Sequence, residues 1–201
     1  MRILMTALHP AGGIRTFLRN TYGHPVFEDC EFVLVCPDPE VAESMSALYP
    51  NWSVGRTPAR GSIPSLMRAT AQELGDGGYD LLHSHGFSAG LAGVLATRFR
   101  RALHLMTAHD VFLDSNFTGA SGWARQRALG LAYRRLDAVH AVSNDCFHNF
   151  LQYIPGVDPA RVHEILHGID TGKFASAEAA DLRGELDLGP DVTIVGFFGR
   201  F

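Results

Sequence analysis

Short apolar runs alternate with longer amphipathic segments along the whole chain, and this alternation most constrains the fold. Strands are predicted at residues 2–7, 32–36, 52–56, 80–83, 103–107, 138–142, 162–166 and 193–198. Helices are predicted at residues 14–22, 40–48, 62–74, 87–99, 123–135 and 181–186, and from a cap at Ser143 or Asn144 to residue 153. Strands that alternate with helices favour a parallel sheet with right-handed crossovers. The sequence therefore predicts an α/β fold with a Rossmann-like doubly wound, mostly parallel sheet and helices on both faces.

The chain divides unevenly. Residues 1–170 hold most of the alternating pattern and are predicted to form one domain. Residues 171–190, rich in Ala, Asp and Gly, are predicted to be a linker. Residues 191–201 then contain one isolated strand, which we expect to be the first strand of a second domain that continues past residue 201. The alternative is that this strand pairs at the edge of the first sheet.

Composition excludes several classes of protein. A net charge of -4 argues against nucleic acid as a partner. The cysteines, Cys30, Cys36 and Cys146, are three in number and form no CxxC pair, so neither a disulfide framework nor a zinc finger is indicated. The first residues enter a strand without the layout of a signal peptide. No apolar run reaches the ~18 residues of a spanning helix. The sequence therefore predicts a cytoplasmic protein.

Polar side chains follow several of the predicted strands, at the point where each strand ends. In an open parallel sheet, ligands bind beyond the carboxyl ends of the strands. The residues in these positions are His9, Gly12, Gly13, His83, Ser84, His85, His109, Asp110, Ser143 and Asn144. Their convergence on one edge is the strongest indication of a ligand site that the residues themselves give.

The glycine pair after the first strand has two interpretations. Gly12 and Gly13 precede a helix, so a ligand's anion or sugar hydroxyl could approach the free N–H groups of that helix. The pair could equally be a strand-to-helix turn that needs a positive φ. The surrounding residues form neither the GxGxxG fingerprint nor a Walker loop.

The histidines near this edge also leave alternatives open. His83 and His85 lie two residues apart, so they share one face of a continued strand and could bind a metal with Asp110. Alternatively one histidine is packed and the other lines a cleft. His109 could hydrogen-bond a sugar hydroxyl or orient a charged group, or it could be a structural histidine.

The helix predicted at residues 123–135 carries an arginine-rich surface next to a tryptophan. Its basic residues are Arg125, Arg127, Arg134 and Arg135, and Trp123 begins it. Such a helix could touch an anionic membrane surface, which would make the protein peripheral to the inner face of the membrane. A solvated face is the alternative.

Six motifs in series resemble a known family. They are Gly12-Gly13, Asp80-Leu81-Leu82-His83-Ser84-His85, Thr107-Ala108-His109-Asp110, Ala141-Val142-Ser143, His167-Gly168-Ile169-Asp170 with Phe174, and Val195-Gly196-Phe197-Phe198-Gly199-Arg200. In this order they resemble the N-terminal domain of the GT-B glycosyltransferases, specifically the large retaining family 4 (group 1). One departure is His167-Gly168, where the family's connector usually has Asn-Gly.

The resemblance implies a function and a division of labour. Two Rossmann-like domains would face each other across a cleft, the N-terminal one mainly binding the acceptor and the C-terminal one the nucleotide-sugar donor. His109 matches the catalytic histidine that contacts the transferred sugar. Gly12, Gly13, His85, Asp110 and Ser143 would bind substrate, and Gly13 would also lie on the donor-phosphate side with Arg200.

The resemblance also implies that no metal or other cofactor is needed, because cations of the second domain would neutralise the phosphates. The expected partners are a nucleotide-sugar donor, a sugar, lipid or small-molecule acceptor, and the chain's own C-terminal domain. The fragment alone is expected to be inactive, since half of the cleft would be absent. Two rival functions stay open, since a fold does not fix a function: a nucleotide-sugar epimerase and a non-catalytic binding module.

Overall fold

A computed structural model describes residues 1–10, 12–99, 102–176 and 180–197. The strands are β1 Arg2–Ala7, β2 Glu31–Val35, β3 Trp52–Val54, β4 Leu81–His85, β5 Leu103–Ala108, β6 Ala138–Ala141 and β7 Val162–Glu164. The helices are α1 Gly13–Tyr22, α2 Pro39–Leu48, α3 Ile63–Asp76, α4 Phe87–Ala96, α5 Gly119–Tyr133, α6 Asn144–Tyr153, α7 Thr171–Ala175 and α8 Leu182–Glu185. Short 3-10 turns lie at Pro25–Phe27, Thr97–Phe99, Asp114–Phe117 and Pro159–Arg161.

The seven strands form one sheet in the order β3-β2-β1-β4-β5-β6-β7. Every neighbouring pair is parallel. The chain builds outward from β1 to β3, returns to the centre at β4, and then builds outward again to β7. The strand order therefore reverses between β1 and β4, which is where open α/β sheets bind their ligands.

Alternate residues of each strand pack into layers on opposite faces. Ile3 of β1 belongs to a buried cluster with residues of α1 and α2. Its neighbour Leu4 belongs to a different cluster with residues of α3 and α4. Residues of α5 and α6 pack with β5 and β6 in a third cluster. Neighbouring residues of a strand point to opposite faces of the sheet, so these different clusters show that helices cover both faces. The predicted doubly wound α/β fold is therefore confirmed.

Two helix ends follow directly from sequence. Asp38 caps α2 by accepting a hydrogen bond from Glu40 N at 3.1 Å, with Pro39 in the first turn. Ser143 caps α6 by accepting from Cys146 N at 3.1 Å. Of the two caps considered for this helix, Ser143 is therefore the one used.

The helix predicted at residues 123–135 begins earlier than expected. Residues Asp114–Phe117 form a 3-10 turn, and α5 begins at Gly119 rather than at residue 123. Gly119 and Gly122 precede the predicted start, and glycine by itself disfavours a helix. However, a Cβ on Gly122 would lie only 2.5 Å from the carbonyl oxygen of Phe117. Only glycine allows that close approach, so the local contact between the 3-10 turn and α5 outweighs helix propensity.

The segment from Ile169 forms a separate compact unit, while Met1–Gly168 form the first unit. It contains α7, which the sequence analysis placed within the linker, and α8, which Asp181 caps by accepting from Gly184 N at 3.0 Å. Residues 193–197 are not in a strand, contrary to the prediction for 193–198, and residue 198 lies outside the described residues. A strand forms only where a second strand pairs with its backbone groups.

Replacing Gly93 with alanine should destabilise the first unit by about 1–3 kcal/mol. Gly93 lies on the buried face of α4, and a Cβ there would be 2.6 Å from His104 Nε2 and 2.7 Å from Ser84 Oγ. Urea unfolding measures the loss. The matched control is Gly13→Ala, since a Cβ at Gly13 meets nothing within 4 Å. Equal stability of both variants would contradict this account of the α4 interface.

Candidate active site

The predicted site residues gather at the carboxyl edge of the sheet. Gly12 and Gly13 follow β1, His85 ends β4, and His109 follows β5. The strands hold these positions in register, because Ala7 pairs with His85 and His85 pairs with Thr107. The glycine pair and His85 thus flank the point where the strand order reverses.

The two glycines have different roles. Gly12 has a φ of 60°, which favours glycine, so it is the turn residue that the sequence left as one alternative. Gly13 has no positive φ and open space where its Cβ would lie. No side chain caps this end of α1, and its first turn holds no acidic residue. Exposed N–H groups at an uncapped helix start suit an anion or hydroxyl.

A hydrogen-bonded chain of side chains lies under this edge. The Nε2 atom of His140 is 2.8 Å from the carbonyl oxygen of Ile165, and its Nδ1 is 3.2 Å from Thr107 Oγ1. Thr107 Oγ1 is also 2.7 Å from His83 Nε2, and His83 Nδ1 is 2.8 Å from Tyr22 Oη. The strand register that pairs Thr107 with His140 creates this sequence of contacts.

If the histidines are neutral, the donor and the acceptor of every hydrogen bond in this network are determined. A carbonyl oxygen only accepts, so His140 donates from Nε2 and must accept at Nδ1 from Thr107. Thr107 then has no proton left for His83, so His83 donates to it from Nε2. His83 therefore accepts at Nδ1 from the Tyr22 hydroxyl. Every member is satisfied, which stabilises a buried polar network.

Burial keeps these histidines neutral. It lowers the pKa of His83 to about 3 and that of His109 to about 4. It also lowers the pKa of His140, and it holds the pKa of His85 well below the ordinary value. Repulsion from neighbouring histidines adds to the effect on His83, His85 and His109. Each ring is thus uncharged near pH 7, as the directional chain requires.

His85 and His109 meet beside the aromatic ring of Phe17. His85 is 1% exposed, and its Nδ1 lies 3.2 Å from His109 Nε2. The ring of Phe17 stands edge-on to His109 at 5.0 Å and lies 5.7 Å from His85. His167 also contacts Phe17, at 4.8 Å. His109 is thereby held on one side by a histidine and on another by an aromatic ring.

The backbone on both sides of His109 is also fixed. The thiol of Cys146 lies 3.2 Å from the carbonyl oxygen of Ala108 and 3.4 Å from that of Asp110. Ser143 uses its hydroxyl to cap the helix that carries Cys146. The side chain of Asp110 is exposed at the edge. Asp110 and Ser143 therefore lie beside the candidate site, and their roles in substrate binding stay predictions.

The two remaining sequence hypotheses concern a metal and a phosphate. No group of three or more potential ligands surrounds a metal position within the described part of the chain. His83 and His85 instead stack on each other at 4.3 Å, with the nitrogens of His83 taken by Tyr22 and Thr107. Arg200, assigned to the donor-phosphate side, lies outside the described residues.

Sequence reasoning missed the residues that support the site. Phe17 and Tyr22 were assigned only to a helix and His140 only to a strand, and Thr107 was named in a strand and a motif without a role in the site. His140 interrupts an apolar strand at a position whose side chain points to the face opposite Val139 and Ala141. The alternation of polar and apolar residues in β6 was the one signal that could have found it.

Comparisons with known proteins match most of the chain to glycosyltransferases. The model of Glycosyltransferase Family 4 matches residues 11–173. Alpha-maltose-1-phosphate synthase of Mycolicibacterium smegmatis is 35% identical over 131 residues, which cover 60% of this chain and 33% of that protein. D-inositol 3-phosphate glycosyltransferase of Actinosynnema mirum is 32% identical over 140 residues, which cover 67% and 33%. The chain therefore spans about a third of the length of these relatives.

A solved structure shows the same fold over half of a longer chain. Anabaena HepE in complex with UDP-glucose superposes with a TM-score of 0.71 at 18% identity, covering 93% of this chain and 50% of that one. Sucrose-phosphate synthase from Thermosynechococcus elongatus gives a TM-score of 0.69 at 14% identity and covers 53% of its chain. These likenesses identify the fold as one half of a GT-B architecture. Together with the family match, they show that the chain belongs to glycosyltransferase family 4.

Proposed function

We propose that the whole protein transfers a sugar from a nucleotide-sugar to an acceptor hydroxyl, with retention at the anomeric carbon. The observation that carries this proposal is the placement of His109 at the carboxyl edge of a family 4 domain. Its ring contacts His85 at the end of β4 and Phe17 of α1, the helix whose start is uncapped. The Actinosynnema mirum relative is a D-inositol 3-phosphate glycosyltransferase, and HepE was solved with UDP-glucose.

The proposed mechanism divides the work between two domains. This chain forms the acceptor side and supplies His109, a half-buried neutral donor beside the transferred sugar. A following domain binds most of the nucleotide and stabilises the negative charge that develops on the leaving diphosphate. Closure of the two domains aligns acceptor and donor and excludes water. The transfer needs no metal in this proposal, since cationic side chains of the second domain take that role.

A thermal-shift panel tests the division of labour. UDP-, GDP- and ADP-glucose are added to the 201-residue chain and to the chain extended through the following domain. A ligand that binds only the folded state raises the apparent melting temperature according to its affinity. We expect one nucleotide class to stabilise the extended form alone. Equal stabilisation of both forms, or detectable transfer by the 201-residue chain, would contradict the proposal.

Gly13→Ala serves as the matched variant in the extended form. Because a Cβ at Gly13 meets nothing within 4 Å, the unliganded melting temperature should be unchanged. The shift produced by the nucleotide-sugar should shrink if the ligand approaches the backbone there. An undiminished shift would remove Gly13 from the donor-phosphate side.

We also propose that α5 lies against an anionic bilayer. Trp123 and Leu131 are 59% and 64% exposed, and Arg127 lies 5.4 Å from the Trp123 ring. These three residues recur at helical spacing on one face, and α5 contains no acidic residue. Indole rings and arginines favour the interface of an anionic membrane. No helix within the described ranges has the length and apolar character to cross a bilayer.

Co-sedimentation with vesicles tests this contact. The 201-residue chain should pellet with vesicles of phosphatidylglycerol and phosphatidylcholine, and much less with phosphatidylcholine alone or at high salt. The double variant Trp123→Ala, Leu131→Ala should lose most of the binding. Leu48→Ala, at an exposed position of α2, is the control and should bind as the wild type does. Absence of wild-type binding, with the chain self-associating through α5 instead, would overturn the proposal.

A further inference from the structure

The surroundings of His85 and His109 indicate which of the two rings donates the hydrogen bond between them. Two neutral imidazoles share one hydrogen bond only if one ring donates and the other accepts. The distance from His85 Nδ1 to His109 Nε2 is 3.2 Å, which allows either direction. The surroundings of the other two nitrogens decide between them.

The remaining nitrogen of His85 is buried without a partner. Within the described residues, His85 Nε2 is fully enclosed and makes no hydrogen bond. One face of the ring is covered by His83, 4.3 Å away, whose own nitrogens are bound to Tyr22 and Thr107. If His85 accepted at Nδ1, its proton would lie on Nε2 as a buried N–H with no acceptor. Orphaned buried N–H groups are rarer than unused acceptor lone pairs.

We infer that His85 donates from Nδ1 to His109 Nε2 and so places the proton of His109 on Nδ1. Within the described residues, His109 Nδ1 makes no hydrogen bond, and unlike His85 Nε2 it is not enclosed by protein. His109 therefore presents an N–H to a ligand, and its basic nitrogen is already occupied. His85 is a positioning residue in this arrangement, because it acts through His109.

The consequence for the site rests on the proposed function. His109 acts as a hydrogen-bond donor to an oxygen acceptor, such as a sugar hydroxyl or a leaving-group oxygen. It does not act as a general base through Nε2. A free histidine in water prefers the opposite tautomer, with its proton on Nε2, so the fold selects the less common form.

Nitrogen-15 NMR measures this tautomer directly. The 201-residue chain is labelled at histidine, and two-bond proton–nitrogen correlations are recorded at pH 7.5. The His109 signals are assigned by their loss in His109→Gln. We expect the protonated type of shift at Nδ1 and the lone-pair type at Nε2. A proton on Nε2 of His109 in the wild type would overturn the inference without any variant.

Two substitutions at His85 separate donation from packing. His85→Asn keeps an N–H near the position of Nδ1, so His109 should keep its Nδ1 proton. His85→Phe keeps a flat ring but removes the donor, so the proton should move largely to Nε2. An unchanged tautomer in a folded His85→Phe variant would show that His85 does not set it. If that variant fails to fold, the wild-type spectrum and His85→Asn still decide.

The kinetics of sugar transfer by the His85 variants test the consequence for the proposed function separately. In the extended protein, His85→Phe should lower kcat by at least tenfold, with a smaller change in KM for the donor, and His85→Asn should recover most of the loss. Failure of transfer with the Nδ1 tautomer intact would refute the proposed function but leave the tautomer standing. Normal transfer by a protein whose His109 carries its proton on Nε2 would refute the tautomer and leave the proposed function standing.

Discussion

Replacing His109 with alanine should lower the rate of sugar transfer by a factor of about 10² to 10³, while the fold survives. A factor of this size is typical when one preorganised hydrogen-bond donor is removed from a reacting centre. The fold should survive because His109 is only half-buried at the sheet edge, outside the hydrophobic clusters. Its neighbours His85 and Phe17 also contact each other directly, with ring centroids 5.7 Å apart.

The measurement is the initial rate of nucleoside diphosphate release by the extended protein, using the sugar nucleotide that the thermal-shift panel selects. Circular dichroism and urea unfolding confirm that the variant is folded. His148→Ala is the control, since His148 is an exposed residue of α6. His109→Gln, which keeps an N–H donor, should retain more activity than alanine. Transfer at the wild-type rate by the alanine variant would remove His109 from the reaction.

Acidification from pH 7 to pH 4.5 should reduce the stability of the first unit by several kcal/mol. An unfolded histidine has a pKa of about 6.5, whereas burial lowers the pKa of His83 to about 3 and of His104 to about 4. The unfolded chain therefore binds more protons than the folded chain in this window. The contribution of these histidines to the free energy of unfolding is fully present above pH 6.5. It is lost as the pH falls towards their pKa values in the folded state. Each unit of difference corresponds to about 1.4 kcal/mol.

Urea midpoints at half-unit steps between pH 7.5 and 4.5 measure this loss. The interval from pH 7 to 5.5 is the most informative, because most carboxylates stay ionised there. His104→Asn removes one titrating ring that contacts Ser84, so its stability should depend less steeply on pH. Leu48→Ala, at an exposed position without a titrating group, should leave the slope unchanged. A midpoint that stays constant down to pH 5 would contradict the neutral, buried state of the histidines.

The order and type of the main elements could be predicted because they depend on local pattern. Apolar strand-length runs alternate with amphipathic segments, and capping residues such as Asp38 and Ser143 mark helix starts in the sequence itself. The parallel sheet then follows, because successive parallel strands need crossover helices. Pattern was least reliable at the start of α5, where the close approach of Gly122 to the backbone of Phe117 permits a helix that glycine by itself disfavours.

The candidate site was predictable in place but not in chemistry. Parallel strands bring their carboxyl ends to one edge, so Gly12, His85 and His109 could be expected to converge there. Nothing local indicated that Tyr22, which is 61 residues from His83 in sequence, would bond to its ring. Hydrogen bonds between strands depend on register, which the sequence specifies only through the whole fold.

The sequence by itself determined the doubly wound fold, the edge of the sheet that carries the site and the family to which the chain belongs. Only the tertiary structure decided how each of these histidines is buried and hydrogen-bonded. His83 and His85 are alike in sequence, yet among the described residues His83 is hydrogen-bonded at both nitrogens and His85 only at Nδ1, to His109. The physical reason is that burial and hydrogen-bond partners set the charge and tautomer of a histidine. Both depend on residues far apart in the chain.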